Sequence, residues 1–316
     1  MAEGEARALR VGVSACLLGE RVRYDGGHKR DAFLTDVLSR RVEWVPVCPE
    51  VELGLGVPRA PINLVRSADG ALRLVVATTG EDLTARMRAH AAWRARSLGP
   101  LDLDGYVLKS ASPSCGLGVR VLDEDGEAAA VGRGFFAQAL AEEMPLLAME
   151  ESRHLSHAGR RLHFFERLAA RARWRAFVKR GPRAGELSAF HAAHKYAILV
   201  RSPEHHARLT QILTRAGRRR AADVLDDYGA VFMSAMALRA TRARHLAVLE
   251  QLVGFFERAL DHGERAELAA AIARYRRRDV ALEVPLGLVR DHVRRLGVTH
   301  LAGQVYLDPN PIELLS

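Results

Sequence analysis

Cysteine is scarce in this chain, with three in 316 residues, at positions 16, 48 and 115. So small and odd a number argues against a disulfide framework and leaves reduced thiols available as ligands or nucleophiles, as a reducing compartment allows. Long apolar runs are missing as well. No segment approaches the ~18 uninterrupted apolar residues of a membrane span, and the polar opening "MAEGEARALR" lacks an apolar leader core. A cytoplasmic protein with no membrane partner is expected. Lysine is nearly absent: of 47 basic residues, all are arginine except Lys29, Lys109, Lys179 and Lys195. Each retained ammonium invites a specific role, because it is a compact point charge whose pKa shifts more readily than that of a guanidinium.

What the chain does contain is enough apolar side chain to fold. Hydrophobic residues make up 48% of it, which excludes overall disorder, and the length favours two domains over one. The net charge of +9 is unevenly spread. Residues 1 to 150 hold 18 Lys+Arg against 21 Asp+Glu, whereas residues 151 to 316 hold 29 against 17, so the second half nets +12.

The first half alternates short apolar runs with helical spacing, predicting an α/β domain built on a mostly parallel sheet. "LRVGVSA" (9 to 15), "VEWVPV" (42 to 47), "LRLVVAT" (72 to 78) and "GYVLKS" (105 to 110) read as strands. "DAFLTDVLSRR" and "LTARMRAHAAWRARSL" have helical spacing, the second opened by a cap from Thr79 or Asp82. Glycine and proline punctuate the joins at Gly26-Gly27, Gly54 to Pro61 and Gly99-Pro100. From about residue 160 onward one amphipathic helix pattern follows another, from "LHFFERLAARARWRAFVKR" to "ERAELAAAIARYRRR", predicting an all-helical domain. The division expected is a first domain over 1–165, a connecting helix or linker over 166–185 marked by "RGPRAG", and a helical domain over 186–316.

All three cysteines stand where strands end: Cys16 after "LRVGVSA", Cys48 after "VEWVPV", Cys115 across the turn after "GYVLKS". In an open parallel sheet these ends share one side, outside which ligands bind, so the thiols can converge without any local pair spacing. Several chemistries remain open at this point. A lone cysteine is commonly a small buried hydrophobe. A zinc site usually shows a close ligand pair. A catalytic thiol leaves two cysteines unexplained. An iron–sulfur cluster accounts for all three and leaves one iron open to a substrate atom.

The neighbours of the cysteines carry candidate chemistry. Glu50 follows Cys48 across the stiff Pro49, which fixes a carboxylate near a metal. Ser112 and Ser114 flank Pro113 beside Cys115, offering hydroxyls to a ligand or simply forming a turn. Asp25 and Lys29 lie around the Gly-Gly turn after Cys16, and Lys109 precedes the third cysteine. Each suits either ligand binding or a local ion pair.

Together, "SACLLGERVRYDGGHK", "VPVCPEVELGLGVPRAPINLV", "TGEDLTARM" and "LKSASPSCGLGVRV" closely resemble the thiouracil desulfidase family (TudS-like), in order and over about residues 8 to 165. The remainder resembles the YbgA-type helical domain, through "FHAAHKYAILVRSP", "YGAVFMSAM", "VPLGLVRDHV" and the terminal "LDPNPIELL". The first resemblance implies that Cys16, Cys48 and Cys115 hold a 4Fe-4S cluster with one iron free, that Glu50 and Ser112 are catalytic, and that sulfur is removed hydrolytically from a small thiolated base, a pyrimidine such as 2-thiouracil. Asp25, Lys29, Lys109 and Ser114 are expected to bind substrate or support the site. In the second domain the family's usual Asn and His are replaced by Ala247 and Gln251, and a usual lysine by Glu257.

Runs such as "TRAGRRRAA" leave a second function class open, a nucleic-acid-associated iron–sulfur protein that senses redox state. Solvated helix faces explain the arginines equally, since aromatic residues are not interleaved with them. His191 and His194 stand one turn apart, which permits two metal ligands, but no third is evident nearby and packing is the simpler expectation.

Overall fold

The computed structural model describes residues 9–307. Contacts divide it into two compact units that part between Ala172 and Arg173.

The first unit contains strands β1 (Leu9–Ser14), β2 (Val42–Val47), β3 (Ile62–Arg66), β4 (Leu72–Val76), β5 (Gly105–Leu108), β6 (Val119–Leu122), β7 (Ala128–Gly132) and β8 (Ala148–Glu151). Its helices are α1 (Pro49–Glu52), α2 (Thr84–Leu98) and α3 (Phe135–Glu143), and α4 (Ala158–Lys179) begins in it. One sheet runs β2-β1-β5-β8 and is wholly parallel, as expected. A second sheet, β4-β3-β6-β7, is parallel only between β3 and β6. Alternating apolar spacing identified "LRLVVAT" as a strand but carries no information about which sheet it joins.

The parallel sheet is covered on both faces, as its unbroken apolar strands require. Leu34, Leu38, Phe164, Phe165 and Leu168 pack with β1 on one side. Ala91, Ala95 and Leu98 of α2 meet Phe136 and Leu140 of α3 on the other. Between β1 and β5 the contact is unusually close. Gly12 is in register with Tyr106, and a Cβ at Gly12 would lie 2.2 Å from the Tyr106 ring. That ring is fully buried and meets Phe136 edge-on, with centroids 5.8 Å apart.

Helical spacing in "DAFLTDVLSRR" resolves into a π-helical turn at Phe33–Val37 followed by a tight turn at Leu38–Arg40. The Ser39 hydroxyl donates to the Leu34 carbonyl at 3.0 Å, and both leucines are still buried. Helix α2 starts at Thr84 with Leu83, not Thr79 or Asp82, at its N-cap position; Asp82, one residue further out, accepts from the Thr84 amide at 2.8 Å.

The second unit is helical: α5 (Ala184–Leu199), α6 (Pro203–Arg215), α7 (Ala221–Ala237), α8 (Arg242–Val253), α9 (His262–Arg277), α10 (Glu283–Arg295) and α11 (Thr299–Ala302). Ser202 caps α6, and Asp261 with Glu264 forms a capping box on α9. The pattern expected to run on through "GFFERAL" stops as a helix at Val253 and continues as a short turn, Glu257–Ala259. Trp174 is held among aromatic rings, stacked on Tyr228 at 5.3 Å and edge-on to Phe190 at 5.4 Å. Gly229 makes room for its indole. Tyr196, Phe232, Met233 and Met236 are core residues, as read. Most of "LDPNPIELL" lies outside the described residues. No helix of the described residues is long and apolar enough to cross a membrane.

His191 and His194 are packed into this core. His194 stacks on Phe190 with centroids 4.0 Å apart, and its Nδ1 lies 2.8 Å from the Phe190 carbonyl. Burial lowers its pKa from 6.5 to about 4. His191 is likewise pushed down to about 4, by burial and then by His206 and Lys195.

Two outcomes follow from this packing. Gly12→Ala drives a methyl into an immobile ring and should destabilise the first unit by ~1–3 kcal/mol, read from urea unfolding. The helical unit should lose stability as pH falls from 6.5 toward about 4, because the unfolded chain takes up protons at 191 and 194 that the folded chain refuses. Above that window these two residues contribute no pH dependence, and His194→Phe should flatten the acid slope in pH-resolved unfolding.

Candidate active site: a thiol-lined cavity at the strand ends

Because β2, β1 and β5 are parallel neighbours, their C-terminal ends lie together. Cys16 sits in the turn Ala15–Leu18 directly after β1, closed by Gly19 at φ 100°. The amide of Lys29 donates to the Cys16 carbonyl at 2.9 Å. Cys48 stands between β2 and α1, whose first residue is Pro49, so Glu50 emerges from the first turn of that helix. Cys115 follows β5 in a turn where its amide donates to Ser112 Oγ at 3.2 Å. The Gly116 amide donates to the Ser112 carbonyl, and a Cβ at Gly116 would crowd Ser112 backbone atoms at 3.0–3.1 Å.

All three cysteines are free, and all three line one cavity of about 290 Å³. Glu50, Arg59, Asn63, Lys109 and Ser112 line it too. Burial pushes each thiol's pKa up, that of Cys16 to about 11, and Cys48 raises Cys16 further. Burial also lowers the Lys109 ammonium, whose Nζ donates to the Ser110 carbonyl at 2.5 Å.

The carboxylate of Glu50 is gripped from both sides. Its Oε2 accepts from Arg59 Nη2 at 2.6 Å and Nε at 3.0 Å, and its Oε1 accepts from Ser114 Oγ at 2.8 Å. Ser112 Oγ stands 3.5 Å from the same Oε1, at the limit of a hydrogen bond. Arg59 also donates to the carbonyls of Val22 and Gly56. Only 6% of its side chain and 13% of that of Glu50 is exposed, so this is a shielded ion pair.

Of the residues singled out from sequence, the three cysteines, Glu50, Ser112 and Lys109 therefore share the cavity. Ser114 lies behind it, fully buried, and reaches it through Glu50. Asp25 and Lys29 are exposed and do not line it. Asp25 is bound instead to Arg23 and to the Gly27 amide, and the Arg23 hydrogen bond brings its pKa down to about 2. Two residues escaped the sequence reading. Arg59 was hidden among dozens of arginines, with only the flanking Pro58 and Pro61 to mark it. Glu151, at the end of β8, is buried, accepts from the Leu117 and Gly118 amides at 2.7 and 3.0 Å, and pairs with Arg153. It pins the loop that carries Cys115.

Soft, shielded sulfur donors border the cavity with a carboxylate beside them, and thiolates are the ligands that thiophilic metals prefer. Residues 11–152 match the 2-thiouracil desulfurase family model, and residues 195–311 match a family described as a protein of unknown function (DUF1722). Over 111 residues the chain is 31% identical to the uncharacterized protein YbbK of Bacillus subtilis (strain 168), covering 34% of this chain and 72% of YbbK. A solved structure of the 4Fe-4S-dependent thiouracil desulfidase TudS is 30% identical, with a TM-score of 0.38 over 47% of this chain and 93% of that one. The chain belongs to the 2-thiouracil desulfurase family.

The donor chemistry is sulfur, the ligand type that iron–sulfur clusters take. Among the described residues, no three Cys, His, Asp or Glu side chains are grouped so as to hold one metal ion. Three free thiols border the cavity, and these are the donors that would hold an iron–sulfur cluster. The thiol pKa values are raised chiefly by burial, so a cation bound there would have to displace the protons.

Removing one partner of the shielded pair should be costly. In metal-free protein, Arg59→Met is expected to lower the stability of the first unit by ~3 kcal/mol in urea unfolding, because a buried carboxylate is left uncompensated. The double variant Glu50→Gln/Arg59→Met should recover most of that loss.

Proposed function

We propose that the first domain, residues 1–165, is a 4Fe-4S-dependent desulfidase that hydrolyses a thiolated pyrimidine such as 2-thiouracil to uracil and hydrogen sulfide. Residues 166–185 act as the connecting helix and 186–316 as a YbgA-type helical domain. The observation that carries this reading is a single cavity bordered by three free thiols and a gripped carboxylate, in a chain of the desulfurase family. A reducing, cytoplasmic setting suits unpaired thiols.

Cys16, Cys48 and Cys115 would hold the cluster, which when bound supplies a thiophilic Lewis acid at the iron that lacks a protein ligand. The remaining work falls to side chains. In the net reaction the oxygen of water ends on the ring carbon, both its protons end on sulfur, and no electrons are exchanged. Glu50 Oε2 is committed to Arg59, so Oε1 is the atom that takes the proton from the attacking water and passes it to the departing sulfur. The Ser114 hydroxyl steadies Oε1 from behind. Arg59 aims the carboxylate without touching substrate. Ser112 and Lys109, both on the cavity wall, balance negative charge developing on the ring, worth on the order of 3 kcal/mol when such donors are preorganised. Asp25 and Lys29 support the site indirectly, by ordering the loop after Cys16.

The nucleic-acid reading gains no support. Several arginines of the helical unit are already paired, Arg219 with Asp227, Arg276 with Glu250 and Arg295 with Glu264.

Anaerobic cluster reconstitution followed by a sulfide-release assay on 2-thiouracil tests the proposal. Alanine at 16, 48 or 115 should abolish both the visible cluster absorbance and turnover. Glu50→Gln should keep the absorbance and lose turnover by at least ~100-fold, the usual scale of proton-transfer catalysis. Full activity in Glu50→Gln would remove that residue from the mechanism, and a loaded wild type that releases no sulfide would end the functional reading.

A further inference from the structure

Strand β3 reads "INLVR", and its second residue is out of character. β3 is an internal strand, bonded to β4 on one side and β6 on the other, where a carboxamide is disfavoured against β-branched and aromatic residues. Ile62 and Leu64 turn into the core, at 7% and 1% exposure. Asn63, between them, alternates to the opposite face and is half-buried. It borders the same cavity as the three thiols and Glu50, beside Pro61 and Ile62.

Its surroundings make the choice more specific. The cavity wall also carries apolar side chains, among them Val22, Pro61 and Pro113. Glu50, Arg59, Arg23 and Lys109 all have partners within the protein. The Asn63 carboxamide has none among the described residues. A half-buried amide without an internal partner, on a strand where an apolar residue would serve stability better, marks a position kept for something other than folding.

We infer that Asn63 is the specificity-determining residue of the cavity, reading an adjacent N–H and C=O pair on the edge of a cyclic thioamide substrate. The inference rests on the desulfidase reading and narrows its substrate class to planar rings that carry a secondary amide next to the thione. A carboxamide presents one acceptor and one donor side by side, the complement of such an edge, just as asparagine pairs with a base edge in nucleic-acid recognition. In 2-thiouracil that edge is N3–H with the C4 carbonyl, and uracil retains it. A ring entering the cavity strips water from the Asn63 amide. A matching edge restores both hydrogen bonds, whereas a ring without the N–H leaves the amide oxygen unmatched.

The test uses the full chain, anaerobically reconstituted, as wild type, Asn63→Ala and Asn63→Val, the valine suiting a strand if alanine weakens it. Calorimetric binding of uracil and 3-methyluracil is measured, with cluster absorbance as the check on folding. Wild type should bind uracil roughly 10-fold tighter than 3-methyluracil, and both variants should bind the two alike. The ratio of kcat/KM for 2-thiouracil over 3-methyl-2-thiouracil should collapse by the same factor. A uracil preference unchanged in variants that keep their cluster overturns the inference, as does a wild type with no preference. A loaded wild type that prefers uracil but releases no sulfide would instead sink the desulfidase reading while leaving edge recognition by Asn63 standing.

Discussion

The parallel hydrogen-bond ladder β2-β1-β5 is the constraint on which the site depends. Strands running the same way must end on the same side, so residues 32 and 67 positions apart in sequence are delivered to one cavity with no local spacing to connect them. The ladder in turn relies on close approach of its members. Gly12 lets the Tyr106 ring lie over its neighbour, and a Cβ at Gly105 would run into Leu168 of α4 at 2.2 Å. Small residues in the middle of the sheet set the positions of thiols at its edge.

Around those thiols the charges are arranged asymmetrically. One carboxylate oxygen is saturated by a guanidinium and the other accepts from serine hydroxyls, so the two oxygens of Glu50 have different tasks although they are chemically equivalent. Arg59 reaches from the loop before β3, and Ser114 from the loop before β6. The carboxylate is thus located by the second sheet's approaches as much as by its own helix. A one-turn helix such as α1 could not hold it alone.

Much of this was legible in the sequence, and the reasons are specific. Apolar runs bounded by glycine and proline gave β1, β2, β4 and β5 close to their observed ends, and the cysteines' place just past those runs pointed to the cavity. Strands β3, β6 and β7 of the second sheet and β8 of the first were harder to see: they are no shorter than β4 and β5 but lack the three consecutive large apolar residues that mark those two. Ser112 and Ser114 could be named but not ranked, since which hydroxyl meets Glu50 well depends on a turn whose backbone takes a positive φ at Ala111. Arg59 and Glu151 act through contacts 9 and more than 30 residues away, which no local pattern encodes. Asp25 lay in a motif loop, but its short side chain finds Arg23 two residues back before it can reach the cavity.

The anchorage of the Cys115 loop by Glu151 sets a lower limit on how much chain the chemistry needs. All three thiols are present by residue 115, yet the amides just beyond the last of them are satisfied by a carboxylate from the sheet's outermost strand, after a further hairpin and helix have intervened. A fragment ending soon after the third cysteine would carry every sulfur donor and still leave the loop untied. The smallest self-sufficient piece must therefore extend through β8, so the final strand helps to build the thiol-lined cavity although it contributes no thiol.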